Sequence, residues 1–245
     1  MRISALLYNM KQSVNKRRKR RKVRIGAVIL LLAVFALAAV LGIGTIRWLL
    51  ERAENRPPKQ ISDDWRLVLV NYENPVPEDH AFTLIELRND QAVDERIYPD
   101  LQAMFDDARS EGISIIVTSS YRSYEDQVEI MERFIRDFEN QGYSPEEAKE
   151  KAEAQVNKPG YSEHQLGIGI DINSEDSSVQ SSDHAWRWLH ENAWKYGFIQ
   201  RYPADKTEIT HVINEPWHYR YVGKEAAQIM TENNWCLEEY LETLR

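Results

Sequence analysis

Tyr161-Ser162-Glu163-His164-Gln165-Leu166-Gly167-Ile168-Gly169-Ile170-Asp171 decides the reading of this chain, and Glu215-Pro216-Trp217-His218 completes it. Alternation puts Ile168, Ile170 and Ile172 on one face of a short strand and Gly167, Gly169 and Asp171 on the other, so an apolar core face backs a glycine face with open space beside a carboxylate. Glu215 precedes a proline and is pushed toward an extended conformation, and Trp217 to Val222 reads as the strand that follows. Two histidines and two acids here suit one zinc ion and one activated water, because catalytic zinc keeps three protein ligands and leaves a position open. His164, Asp171 and His218 are the expected ligands, with Glu215 as the general base. Any one of them alone reads more plainly as half of a buried His–Asp pair or as a core histidine. The set reads as an open catalytic site, since a structural zinc calls for a fourth ligand. His211 is the nearest candidate for one, and on a strand its odd offset from His218 turns it to the opposite face.

Working outward, Leu67 to Val70 reads as a strand and Asn74-Pro75 with Pro77 as a turn. Leu101, Met104, Phe105 and Ala108 follow helical spacing between Pro99 and Gly112, and the β-branched run Ile113 to Thr118 reads as a strand that delivers Ser119 to Ser123 to a cleft. Arg122 sits at that strand end, where a guanidinium can hold a carboxylate or an oxyanion with paired hydrogen bonds. Tyr124 to Asn140 reads as a helix with Val128, Met131 and Ile135 inward. Ser144-Pro145-Glu146-Glu147 has the form of a capping box for a second, charged helix reaching about Val156, and Asn157 to Gly160 breaks it. Ser182 or Asp183 is the expected cap of a helix whose Trp186, Leu189, Ala193 and Trp194 read as core. His80, His184 and His190 read as ordinary structural or surface histidines. Pro203 to Glu208 reads as a loop, Lys224 to Asn234 as a helix and Cys236 to Arg245 as a short charged tail. Mixed elements of this kind imply an α+β fold.

Ser-x-His with an aspartate seven positions on, then Glu-x-x-His, preceded by Ser120-Tyr121-Arg122-Ser123-Tyr124-Glu125-Asp126-Gln127, resembles the VanY-type zinc D-alanyl-D-alanine carboxypeptidases over roughly residues 64 to 223. Leu67 to Asn71, Asn74-Pro75 and Tyr196 to Pro203 belong to the same pattern. The resemblance implies a small antiparallel sheet carrying the zinc, Arg122 as the oxyanion partner, and Ser120, Gln127, Ser162 and Trp217 as substrate contacts. It implies a peptidoglycan stem peptide as substrate and removal of its C-terminal D-alanine. An endopeptidase of the same superfamily and a non-catalytic zinc-stabilised wall-binding module are the alternatives, and the pairing of Glu215 with Arg122 argues against the second. The chain departs from the pattern at Leu166, where threonine is common, and at Thr210-His211-Val212, where Thr-Gly-Tyr is common. Both departures bear on the substrate groove and spare the ligands and the base.

Charge and hydropathy place this domain behind an anchor. Residues 1–24 hold ten of the 31 Lys and Arg and no acid, which leaves 21 basic against 39 acidic residues beyond them. So acidic a remainder argues against nucleic acid as a partner. Ile25 to Ile46 is an uncharged run of 22 residues, and about 20 apolar residues span a bilayer as a helix. Lys16 to Lys22 before it would stay cytoplasmic by the positive-inside rule. The run is longer than the ~7–15 residues of a signal-peptide core, so it reads as an uncleaved signal anchor. The expected organisation is a basic cytoplasmic tail (1–24), a transmembrane anchor (25–46), a polar stalk (47–63) containing Pro57-Pro58, and an extracytoplasmic domain (64–245). The single cysteine, Cys236, excludes both an internal disulfide and a cysteine-ligated zinc.

Overall fold

The computed structural model describes residues 64–176 and 178–245, and the basic tail, the apolar run and the stalk lie outside them. Among the described residues no helix is long and apolar enough to cross a membrane. In chain order they form strands β1 (Leu84–Glu86) and β2 (Ala92–Asp94), helix α1 (Tyr98–Ser110), strand β3 (Ile115–Ser119), and helices α2 (Tyr124–Asn140) and α3 (Pro145–Glu153). Strand β4 (Gly169–Ser174), helix α4 (Val179–Asn192), strand β5 (Phe198–Tyr202), helix α5 (Thr207–Thr210), strand β6 (Glu215–Tyr221) and helices α6 (Lys224–Asn233) and α7 (Leu237–Thr243) follow. The fold is α+β. One sheet is the β1–β2 pair, and the other is four-stranded and antiparallel in the order β3-β4-β6-β5.

The alternation read from the sequence sorts the larger sheet into two faces. Ile170 and Ile172 of β4, Val117 of β3, Phe198 of β5 and Tyr219 of β6 are buried with Leu101, Met104 and Ala108 of α1 and Trp188 and Leu189 of α4. The register pairs Ile170 with Tyr219 and Asp171 with His218. Directly opposed residues of an antiparallel pair share a face, so the apolar pairing on one side forces Asp171 and His218 together on the other. A second core joins Leu67, Ile199 and Val222 to Ala226, Ala227 and Met230 of α6 and to Leu237, Tyr240 and Leu241 of α7.

Four sequence expectations are corrected here. Trp65–Leu67 is a turn of 3₁₀ helix capped by Asp64, and residues 68–70 join no sheet. The carbonyls of Arg66 and Val68 accept from Arg220 Nη2 at 3.0 and 2.8 Å, so a buried guanidinium takes the place of a strand neighbour. Helix α4 starts a turn early, because Ser178 supplies the cap through Ser181 N. His211 does not lie on a strand. It ends α5 with φ 57° and packs edge-on against Tyr72, so strand parity does not decide which way it faces. The last ten residues are no loose tail. Leu237, Tyr240 and Leu241 repeat at helical spacing, the capping box of Cys236 and Glu239 starts α7, and all three apolar side chains are buried.

Helix α7 also brings Glu238 to Arg201, which is fully buried in β5. Arg201 Nη1 and Nη2 donate to Glu238 Oε2 and Oε1 at 2.9 and 2.6 Å, and Asn71 Nδ2 donates to Oε1 at 3.1 Å. Burial alone would raise the Glu238 pKa, but Arg201 and Asn71 outweigh it and hold the carboxyl below its ordinary value. A carboxyl shifted this way stabilises the fold fully above its unfolded pKa and loses that contribution as pH falls through the folded value. Glu238→Gln is expected to cost about 3 kcal/mol at neutral pH, the low end for one partner lost from a buried pair, since Arg201 keeps a second carboxylate. Chemical denaturation of both proteins across pH checks this: the difference should be flat near neutrality and shrink below about pH 4, near the unfolded glutamate pKa.

Candidate metal centre

His164 reaches the polar face of the sheet on a 3₁₀ turn, Glu163–Leu166, that immediately precedes β4. Gly167 ends the turn at φ 70°, a left-handed conformation suited to glycine, and a Cβ there would stand 3.0 Å from the Phe82 ring. His164 Nδ1 lies 2.8 Å from the carbonyl of Ser120. A carbonyl only accepts, so Nδ1 carries a proton, and Nε2 is the nitrogen turned to Asp171, with Oδ1 at 3.5 Å. His218 presents Nδ1 to the same Oδ1 at 3.0 Å, and the two imidazole rings stand edge to face at 4.8 Å. Ligand atoms of His164, Asp171 and His218 all lie within 4.8 Å of one another, a grouping that can hold a metal ion.

Charge is balanced closely around this group. Asp171 has its carboxyl held far below the ordinary range by His164 and His218 despite burial. Arg122 Nη2 is 3.5 Å from its other oxygen, Oδ2. Arg122 is held by Ser119 Oγ, which accepts from Nε and Nη2 at 3.1 and 2.8 Å, and by Gln127 Oε1, which accepts from Nη1 at 3.2 Å. Glu215, at the start of β6, places Oε2 3.9 Å from His218 Nδ1. Burial, with Asp171 and Glu163 nearby, raises its pKa to about 7 against the pull of His218 and Arg122. A carboxylate tuned to that range suits proton transfer at neutral pH.

These residues open on a cavity of about 230 Å³ lined by Arg122, Ser162, His164, Asp171, Glu215, Trp217 and His218, with Ile130, Arg133 and Phe134 of α2 and residues 155–157 after α3 as the opposite wall. Ser162 and Trp217 thus face it. Gln127 and Ser120 do not line it. Gln127 is fully buried and ties Arg122 to the carbonyl of Asn157, to which Nε2 donates at 2.7 Å. Ser120 turns its hydroxyl to Gln91 and accepts from Ala92 N, while its carbonyl orients His164. A larger cleft of about 520 Å³ between the β1–β2 turn and α1 has Arg88, Asp106 and Arg109 on its walls but no histidine.

One sequence expectation changes at the centre. The glycine face beside Asp171 is not open space. A Cβ at Gly169 would meet Glu163 Cβ at 2.9 Å and its carbonyl carbon at 3.0 Å, so the main chain of Glu163 fills that space. Glu163 is itself a residue that the motif reading passed over. It is completely buried and its Oε1 accepts from Arg201 Nε and Arg220 Nη1, each at 2.8 Å. The available signal was Arg201 and Arg220, two charges within apolar strands that demand a buried counter-charge.

Two histidines and an aspartate that can hold a metal ion thus stand around a cavity with a glutamate and an arginine beside them. The family model described as "VanY: D-alanyl-D-alanine carboxypeptidase" matches residues 90–224, which include every one of those side chains, and the chain belongs to that family. It is 49% identical over 180 residues to a D-alanyl-D-alanine carboxypeptidase of Enterococcus faecalis (strain ATCC 700802 / V583), covering 74% of this chain and 67% of that one. Among solved structures it is similar to a mutant D,D-pentapeptidase VanY from the VanB-type resistance cassette in complex with Zn(II), with a TM-score of 0.70, 49% identity and coverage of 73% of this chain and 99% of that chain. VanYB in complex with D-alanine-D-alanine gives a TM-score of 0.71 and 48% identity over 74% of this chain and 100% of that chain.

The close packing of Gly169 against Glu163 makes Gly169→Ala a probe of the centre. The added methyl cannot be met by a flexible side-chain end, because backbone stands in its way. Overpacking of this kind costs about 1–3 kcal/mol, and zinc affinity, read by competition with a chelating dye, should fall with it as Glu163 and His164 are displaced.

Proposed function

We propose that this chain is a zinc-dependent D,D-carboxypeptidase that removes the terminal D-alanine from peptidoglycan stem peptides on the outer side of the membrane. The observation that carries this reading is the convergence of His164, Asp171 and His218 on one point beside Glu215 and Arg122. The two related structures bound to Zn(II) and to D-alanine-D-alanine support the choice of metal and of substrate end. The donor set fits zinc: the Nε2 lone pair of His164, one carboxylate oxygen and His218 Nδ1 make three ligands of the types zinc prefers and leave a position free. When bound there, zinc supplies Lewis acidity and lowers the pKa of a water molecule to about 7.

Glu215 takes the proton as the water oxygen adds to the scissile carbonyl carbon, then returns it to the D-alanine nitrogen as the C–N bond breaks. Arg122, fixed by Ser119 and Gln127, donates to the oxygen on which negative charge develops. Ser162 and Trp217 border the substrate space, and the α2 wall with Ile130 and Phe134 gives it an apolar side. The uncharged run 25–46 behind a basic tail supports a single-pass anchor with a cytoplasmic N-terminus.

With a synthetic stem pentapeptide, the full chain in detergent should release D-alanine, lose activity to a chelator and regain it with zinc, with the tetrapeptide a poorer substrate. Glu215→Gln should lower kcat by roughly 10²–10⁴-fold. No covalent intermediate forms in this scheme, so penicillin should leave the protein unlabelled. Release from neither peptide by zinc-loaded protein would rule the carboxypeptidase out. For the anchor, protease added to intact cells should digest the folded domain and spare a tag placed at the N-terminus; the reverse pattern would overturn the orientation.

A further inference from the structure

His218 Nε2 points away from the cavity into the protein, 3.6 Å from Glu163 Oε2, and neither atom has a hydrogen-bond partner among the described residues. Everything else about Glu163 is occupied. Its Oε1 is committed to Arg201 and Arg220, and its main chain is pressed against Gly169, which stands opposite Arg220 in the sheet. A carboxylate beside two guanidiniums stays ionised and can only accept. The face of Glu163 that remains is directed at one imidazole nitrogen. His218 is therefore flanked by a carboxylate at each nitrogen, Asp171 at Nδ1 and Glu163 at Nε2.

We propose that Glu163 is a positioning residue that keeps the ring proton of His218 on Nε2, so that Nδ1 offers its lone pair to the metal. This rests on the zinc reading above. With Glu163 Oε2 facing Nε2, His218 would present Nδ1 to a cation held with His164 and Asp171. The two histidines are then oriented by different means, His164 by the Ser120 carbonyl and His218 by a buried carboxylate. Outer partners of this kind fix tautomer and ring orientation and raise ligand basicity.

Glu163→Gln tests the assignment. Both guanidiniums can only donate, so the glutamine carbonyl goes to Arg201 and Arg220 and its NH₂ group turns to His218. Nε2 must then accept, and the ring proton moves to Nδ1, where it competes with the metal. Zinc affinity measured against a chelating dye should fall on the order of 10–100-fold in a protein whose circular dichroism shows it folded. Glu238→Gln, which disturbs Arg201 without reaching His218, should keep wild-type affinity. Equal loss in both variants, or none in Glu163→Gln, would overturn the proposal. Should Glu163→Gln not fold, ¹⁵N NMR of the imidazoles in zinc-loaded wild-type protein decides it: a proton on His218 Nε2 supports the assignment, and zinc on Nε2 with the proton on Nδ1 defeats it. A protein that binds zinc with the expected tautomer yet releases no D-alanine keeps this inference and removes the carboxypeptidase reading instead.

Discussion

Everything at the centre depends on the register that sets Asp171 directly across from His218. That register is enforced from the opposite face, where Ile170 and Ile172 are packed beneath α1 and α4 and Ile170 pairs with Tyr219. Slipping one strand by a residue would turn its isoleucines to the cavity and its aspartate into the core, which the burial of that face forbids. The same register sets Gly169 opposite Arg220 and so clears the ground for Glu163. Core packing thus specifies a polar constellation none of whose members belongs to the core.

Much of this was legible in the residues. The alternation from Ile168 to Ile172 identified β4 and its apolar face, the strand read from Trp217 to Val222 is β6 with its start two residues earlier and its end one residue earlier, and the box read at Ser144 starts α3. The grouping of His164, Asp171 and His218 followed from pattern and family resemblance, and the fold brings them together. What could not be read depends on contacts between distant segments. Leu67 to Val70 has the composition of a strand, but whether its carbonyls meet a strand or the Arg220 guanidinium is decided some 150 residues away. Likewise the final segment looks like a charged tail until Arg201 gives Glu238 a buried partner. Gln127 and Ser120 carry the family motif, yet only the packing shows one steadying Arg122 and the other offering a backbone carbonyl to His164.

The interior under the site is unusually charged. Glu163, Glu238, Arg201 and Arg220 form a group of two carboxylates and two guanidiniums in which each arginine touches at least one acid. Desolvating four charges is expensive, and such a group is tolerated because its bonds are nearly all made and its formal charge sums to zero. The family match ends at residue 224, so one of the two negative charges comes from α7, beyond the matched stretch. The helix that reads as an appendage supplies a counter-charge to the framework beneath a metal ligand.

Cys236, at the cap of α7, has a further meaning. Its thiol is buried, and burial together with the Glu238 charge pushes its pKa up to about 12. A thiol that is neither exposed nor ionised does not attack a disulfide or an electrophile. With a single cysteine the chain forms no internal disulfide, so its folding needs no oxidising catalyst, and burial of the thiol disfavours cross-linking of two folded copies. For the experimenter, the folded protein should therefore serve as a cysteine-free background: a single cysteine introduced on the surface should take up a spectroscopic or fluorescent label ahead of the buried one.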